Sequence, residues 1–285
     1  MMSMTLPALA LLANSVMGLH IESPVFKTRT ASPSVTMSAA HQGRRTVVTL
    51  AGAFLTALSP AVPPTFADGA KPKVVIFGGS GYVGAYASEM LLAKGASVVS
   101  VSRKSSTEAN EKVKAILGKS LSDVEYVSLD ATSDDLKDVL NGASAVISCV
   151  GVAPGGANQR DGNGKANVNI ANAAKAAGID KFVYVGVASE LSNGPIKFIF
   201  GDYVKGKAEA EAAVLKNFGA SALVLEPGII AGAPPGEVRP PGPPGMTPVP
   251  VQDVARAAVA GAYGQKTGRI DGNVAISAAA TAAGA

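Results

Sequence analysis

The chain has 285 residues, 47% of them hydrophobic and 16% charged, with no Trp and a single Cys. One cysteine excludes an intramolecular disulfide. The formal charge of +4 is a poor guide to partners: Lys27, Arg29, Arg44 and Arg45 stand against Glu22 alone in residues 1–67, so the body beyond is nearly neutral and gives no case for nucleic-acid binding.

Residues 1–67 read as an address rather than as part of the fold. An apolar run, "LPALALLANSVMGL", precedes "KTRTASPSVTMSAAHQGRR", which is basic, hydroxylated and free of acid. That composition marks an organelle transit peptide. A second apolar run, "TVVTLAGAFLTAL", follows Arg44-Arg45 and leads to the small-residue site Thr65-Phe66-Ala67, in the manner of a twin-arginine export signal. In order, the pieces suit a multipartite plastid presequence with the thylakoid lumen as one destination. The other reading, a membrane anchor, has to contend with a run of 13 residues where a span needs roughly 20. Residues 68–285 are then the folded domain.

From Lys73 the pattern changes. Lys73–Phe77 reads as a buried strand, Gly78-Gly79-Ser80-Gly81-Tyr82-Val83-Gly84 as a glycine-rich turn, Tyr82–Lys94 as a helix ended by Gly95, and Ser97–Ser102 as a second strand. A glycine motif inside one βαβ unit of about 30 residues points to dinucleotide binding. Gly78 permits the tight turn, Gly81 lets the backbone approach a pyrophosphate, and Gly84 lets the helix pack on the strand. The helix N-terminus, at Tyr82 and Val83, would offer backbone N–H groups and a positive dipole end to the phosphates. An acid after the second strand would bind a ribose 2′-hydroxyl. Here stands Ser102-Arg103-Lys104-Ser105, and Arg103 can stack on adenine and pair with a 2′-phosphate, which favours NADP(H) over NAD(H). The bland alternative is a solvated basic loop.

The alternation continues. Helix Thr107–Leu117 leads to strand Val124–Ser128, and Asp130 stands where a carboxylate reaches an adenine amino group. Helix Asp134–Leu140 leads to strand Ala145–Cys149, with Gly151 placed to pass beneath a ribose. Cys149 sits in an apolar run, as a small core residue does. Helix Ala166–Ala177, strand Lys181–Val185, helix Tyr203–Asn217 and strand Ser221–Leu225 complete a doubly wound parallel α/β sheet, whose ligand lies at the carboxyl ends of the strands. Gly232–Pro250 is too rich in Pro and Gly for a helix or a central strand; it reads equally as a lid or a surface loop. Val251–Tyr263 reads as an amphipathic helix and Ala275–Ala285 as a low-complexity tail.

With "VVIFGGSGYVG", "AVISCVG", "NGKANVNIANAAKAAGIDKFVYVGVAS", "YVKGKAEAE" and "LVLEPGIIAG" on the page, residues 71–265 resemble the atypical branch of the short-chain dehydrogenase/reductase superfamily. The likeness extends to plastid, plastoglobule-associated Rossmann proteins and to the Rossmann accessory subunit of respiratory complex I. In active members a Tyr and a Lys four residues later do the chemistry, helped by a Ser at the end of the preceding strand and an Asn on the helix before it. The resemblance therefore implies Tyr203, Lys207, Ser189 and Asn163 as catalytic residues. A cation one helical turn away favours the phenolate of a tyrosine whose ordinary pKa is about 10, and the Lys207 ammonium can also hold a nicotinamide ribose. Ser189 is placed to orient a substrate carbonyl and Asn163 to hold a relay water. The implied activity is an NADP(H)-dependent oxidoreductase on a small carbonyl, quinone or isoprenoid-type substrate, with thylakoid or plastoglobule association. The alternative is an assembly protein that binds NADP(H) without turnover. Relatives often carry Arg before the Pro-Gly that follows the sixth strand. Glu226 stands there instead, and a negative charge beside a site for an anionic substrate would repel it.

Overall fold

The computed structural model describes residues 71–194, 196–235, 237 and 245–284. The expected presequence lies outside them. Strands β1 (Lys73–Phe77), β2 (Ser97–Ser102), β3 (Val124–Ser128), β4 (Ala145–Ser148), β5 (Lys181–Val185), β6 (Leu223–Glu226) and β7 (Gly268–Asp271) form a sheet in the order β3-β2-β1-β4-β5-β6-β7. All the pairings are parallel, so the doubly wound expectation holds. The order reverses between β1 and β4, and that switch point opens a crevice at the strands' carboxyl ends.

Both faces of the sheet are covered, as parallel strands with near-continuous apolar runs require. Val74 and Ile76 of β1 point into one layer with Val98, Ile147, Val183 and Leu223. There α1 (Tyr82–Ala93), α2 (Ser106–Leu117), α8 (Val251–Ala262) and α9 (Asn273–Gly284) cover them. Val75 and Phe77 point the other way, against α3 (Lys137–Leu140), α4 (Ala166–Ala176) and α7 (Gly201–Phe218). Short helices α5 (Ser189–Ser192) and α6 (Ile196–Ile199) lie between β5 and α7.

Local chemistry explains the boundaries. Ser105 caps α2: Glu108 N–H donates to Ser105 Oγ at 3.3 Å and Ser105 N–H to Glu108 Oε2 at 3.0 Å, a reciprocal capping box. The expected helix from Asp134 begins only at Lys137. The Asp134 carboxylate takes the Asp130 N–H (2.7 Å), and Asp135 takes that of Lys137 (2.9 Å), so both acids shape the turn before the helix. The expected strand from Ser221 starts at Leu223, because Gly219–Ser221 is a tight 3₁₀ turn. Ser189 does not end a strand: β5 stops at Val185, and Ser189 opens α5. The tail is not featureless either. Alanine is the best helix former, and Asn273–Gly284 is the helix α9, which buries Ile276 and Ala280.

Candidate cofactor and active site

The β1–α1 turn is built so that nothing but backbone fills it. Gly78 has φ +78°, and a Cβ there would meet the Cys149 carbonyl at 3.0 Å. A Cβ on Gly84 would lie 2.4 Å from Gly78 O and 2.6 Å from Gly79 Cα. Gly79, which the motif spacing leaves out, is as constrained: its Cβ would lie 2.3 Å from Ser100 Oγ. Gly81 caps α1, no side chain bonds the helix start, and its first turn holds no acid. These open N–H groups and the positive helix end suit a pyrophosphate. Val83 buries its side chain in the core, so it offers a ligand only backbone. The Tyr82 hydroxyl donates to Ala231 O at 3.2 Å and ties the turn to the segment after β6.

At the far end of β2, Arg103 and Lys104 are exposed. Asp130 sits on the loop after β3. Its carboxyl is held below the usual range by the Thr132 N–H (2.9 Å) and hydroxyl (2.7 Å), with further help from Arg103 and Lys165. Arg103 and Asp130 therefore share one corner of the crevice, across β2 and β3.

The loop after β4 is laced by two asparagines one helical turn apart. Asn163 is fully buried on a π-helical turn, Asp161–Lys165, that runs into α4. Its amide donates to Val152 O (2.9 Å) and Gln159 O (2.8 Å), and its oxygen accepts the Val152 N–H at 3.2 Å. Asn167 donates to Val150 O at 3.2 Å and accepts the Ser148 hydroxyl at 2.5 Å. Both amide protons of Asn163 are thus engaged in bracing the loop. That loop presents Gly151, whose missing Cβ leaves space 2.9 Å from Asn163 Oδ1 and 3.3 Å from Lys207 Nζ.

Helix α7 brings Lys207 to this point. Gly206 allows the approach: a Cβ there would strike Arg160 O at 2.9 Å and Gly164 N at 3.0 Å. The Arg160–Glu209 ion pair, at 2.5 Å, ties the π turn to α7. Lys207 donates to Val185 O at 3.1 Å and lies over the Tyr184 ring, 5.4 Å from its centre. Tyr203 is one turn earlier on the same helix and partly buried. Burial raises the Tyr184 phenol well above its ordinary value, and Tyr203, Glu211 and Glu226 add to this. Gly151, Asn163 and Lys207 thus meet at the loop after β4, with Tyr203 one turn before Lys207 on α7. Beside Lys207 opens a cavity of about 140 Å³ lined by Val187, Ser192, Asn193, Val204, Lys207, Ala208 and Glu211. A more open, polar concavity of about 370 Å³, around Gln159, Arg160 and Asp202, has none of this apolar wall.

A family model described as NAD(P)H-binding matches residues 78–262. The chain belongs to that NAD(P)H-binding family. It is an atypical short-chain dehydrogenase/reductase-like Rossmann protein. An uncharacterized chloroplastic protein of Arabidopsis thaliana is 33% identical over 208 residues, 73% of this chain and 65% of that relative's length. Among solved structures, the Bordetella bronchiseptica enzyme WbmH in complex with NAD⁺ superposes with a TM-score of 0.54 at 19% identity, covering 71% of this chain and 76% of the other. The Bacillus cereus UDP-glucuronic acid 4-epimerase with NAD gives 0.52 at 18%, covering 66% and 72%. At such identities these two likenesses speak for the fold.

Against this NAD(P)H-binding frame, two side chains stand out. Ser189 is committed within the protein: its N–H donates to Asp271 Oδ1 at 3.0 Å and its hydroxyl to Asp271 Oδ2. Ser192 and Asn193, rather than Ser189, line the cavity beside Lys207. The other is Glu226. It is 1% exposed and takes a bidentate pair of hydrogen bonds from Arg269 Nε and Nη2, with Nη2 2.7 Å from Oε1. The Glu226 charge is therefore sequestered and matched by a cation from β7. Cys149 is no nucleophile, since burial pushes its thiol up to about 12.

Lys207 is 8% exposed, and burial pulls its ammonium down to about 8 from the ordinary 10.5. Below pH 8 the burial cost is present in full, roughly 3 kcal/mol. Between pH 8 and 10.5 the unfolded chain binds the extra proton, so stability rises with pH, and above 10.5 the cost is gone. Lys207→Met is therefore expected to be more stable than the wild type near neutral pH by about 2 kcal/mol, after subtracting about 1 kcal/mol for the lost bond to Val185 O. The gain should fade as pH rises past 8. Urea unfolding at a series of pH values measures it; a uniform loss of stability at all pH values would refute it.

Proposed function

We propose that this protein is an NADP(H)-dependent oxidoreductase of the plastid that reduces a small carbonyl or quinone, with Tyr203 and Lys207 as its acid–base pair. The observation that carries the reading is Lys207. A buried ammonium, lowered by burial, faces Gly151 at the switch point one turn from a tyrosine, and such an arrangement costs stability and recurs where chemistry is done. A nicotinamide held at this end of the sheet would supply the hydride, two electrons with one hydrogen, that reducing a carbonyl needs. Tyr203 gives its phenolic proton to the oxygen, and Lys207 stabilises the phenolate left behind. Val187, Val204 and Ala208 form the apolar side of the concavity beside Lys207.

Arg103, exposed at the end of β2 with no acid at that place, supports a 2′-phosphate and hence NADP(H). The chloroplastic relative and the basic, hydroxylated residues 27–45 support a plastid location, with the lumen-directed reading of Arg44-Arg45 as the finer proposal.

The test is direct. The purified protein is titrated with NADPH and NADH by fluorescence, then screened for cofactor oxidation with quinones and carbonyls. Tyr203→Phe should keep nucleotide binding and lose turnover by about 100-fold or more. The commitment of Ser189 to Asp271 favours a second reading, a nucleotide-binding protein without turnover. NADPH binding with no Tyr203-dependent turnover would decide for it.

A further inference from the structure

The corner where β2 gives way to α2 carries two exposed cations, Arg103 and Lys104, and each already faces an acid. Thr132 and, beyond it, Arg103 hold the Asp130 carboxyl below its usual range; Ser105 and then Lys104 do the same for Glu108. Glu108 also closes the helix start on itself. Its Oε2 takes the Ser105 N–H at 3.0 Å and the Ser105 hydroxyl at 2.8 Å. We propose that Glu108 sets the choice between the two nicotinamide cofactors, holding the preference for NADPH over NADH below about tenfold. The inference rests on the nucleotide-binding reading of this corner and does not depend on whether Tyr203 and Lys207 turn anything over.

NADPH differs from NADH in one phosphate on the adenosine ribose, which brings close to two negative charges. What NADPH gains over NADH is therefore what this corner offers an anion. Reach comes first. Arg103, Lys104 and Ser105 are consecutive, so their Cα atoms span only about 7 Å. Lys104 is near enough to Glu108 to act on its carboxyl. A phosphate that takes Lys104 as its counter-charge therefore meets Glu108 too, inside a Debye length of about 8–10 Å at ordinary salt. Donors come second. A helix start offers an anion its free N–H groups and its positive end. At α2 the Ser105 N–H and hydroxyl are already engaged by a carboxylate of the chain itself. Charge comes third. Arg103 and Lys104 are balanced by Asp130 and Glu108, and Lys165 and Asp134, both beside Asp130, cancel in turn. Of the two acids, Asp130 is tied into its own turn by Thr132, and Glu108 is the one at the helix start. Capping alone does not require its charge, since Gln serves in a capping box as Glu does. NADPH keeps its lead through Arg103, and Glu108 keeps that lead small.

The experiment uses the full chain and measures binding, not turnover. NADPH and NADH are titrated by fluorescence. Adenosine 2′,5′-bisphosphate and AMP, which carry the adenosine end of each cofactor without the nicotinamide, are titrated by calorimetry. Wild type should bind NADPH more tightly than NADH by less than about tenfold. Glu108→Gln removes the charge and keeps the cap. It should bind NADPH about five- to tenfold more tightly and leave NADH within about twofold of wild type. The bisphosphate should show the same gain and AMP none, and the gain should shrink at high salt. A wild type that prefers NADPH by more than about tenfold overturns the proposal. So does a ratio unmoved in Glu108→Gln, or a variant that tightens NADH as much as NADPH, since Glu108 would then act through the fold. Binding of neither nucleotide overturns the nucleotide-binding reading of the corner and the proposal with it. Binding of both with an unmoved ratio overturns the proposal alone.

Discussion

Gly84→Ala is expected to cut NADPH affinity by about 100-fold, equivalent to about 2.7 kcal/mol. The added Cβ would sit 2.4 Å from Gly78 O and 2.6 Å from Gly79 Cα. Both neighbours are backbone, so no side chain can swing aside and the helix start must lift from the turn that cradles the phosphates. Overpacking of this kind also costs about 1–3 kcal/mol of stability. Gly95→Ala is the informative contrast. Gly95 has φ +80° and nothing within 4 Å of its would-be Cβ, so the change strains one residue by about 1 kcal/mol and leaves the turn intact. Fluorescence titration and urea unfolding of both variants separate the two effects. Equal NADPH affinities would show that the β1–α1 turn does not hold the nucleotide.

Arg269→Leu is the second large effect. Glu226 is 1% exposed at the carboxyl end of β6, and Arg269 on β7 is what compensates it. Removing one partner of a buried pair costs about 3–5 kcal/mol, because the other charge stays behind without its solvent. The Arg269 side chain is 52% exposed, so water partly screens the pair and about 3 kcal/mol is expected. Glu226→Gln in the same background should recover most of the loss, since the stranded charge is then gone. Chemical denaturation of both variants and of Glu226→Gln alone checks this. A double variant no more stable than Arg269→Leu would mean that the arginine acts through packing instead of charge.

Much of the frame was legible in the residues. β1, β2 and β5 fall where their apolar runs begin and end, because a strand buried on both faces has to be largely apolar; β3 keeps its expected bounds too, as an edge strand with Glu125 and Ser128 exposed. The glycine turn was legible because its spacing is enforced by backbone clashes that no side chain relieves. β7 was not. Its "GRID" holds a single large apolar residue, Ile270, and its charged neighbours face outward at the sheet's edge. With β7 unread, the partner of Glu226 was unread too, and a matched carboxylate looked like an uncompensated one. Ser189 was misplaced for the same reason, since its partner Asp271 also comes from β7. The spacing of Tyr203 and Lys207 put both on one helix face, as found. It carried no sign that Gly206, between them, is the contact that lets α7 close on the π turn, and Gly79 escaped notice because Ser100, beneath it, lies on another strand.

The pairing of β6 with β7 has a consequence for how the protein is made. Synthesis releases Glu226 well before Arg269, with the whole of α8 between them. Until the last strand emerges, β6 carries a carboxylate destined for the interior with nothing to neutralise it. The sheet's inner strands can pair early, yet β6 has reason to stay in water until β7 has emerged. The cavity wall built from α5 and α7 then settles last, when Asp271 takes hold of Ser189. A chain cut short before residue 268 should keep a nucleotide-sized core and lose the substrate side, so that the nucleotide cradle can form before the substrate side does.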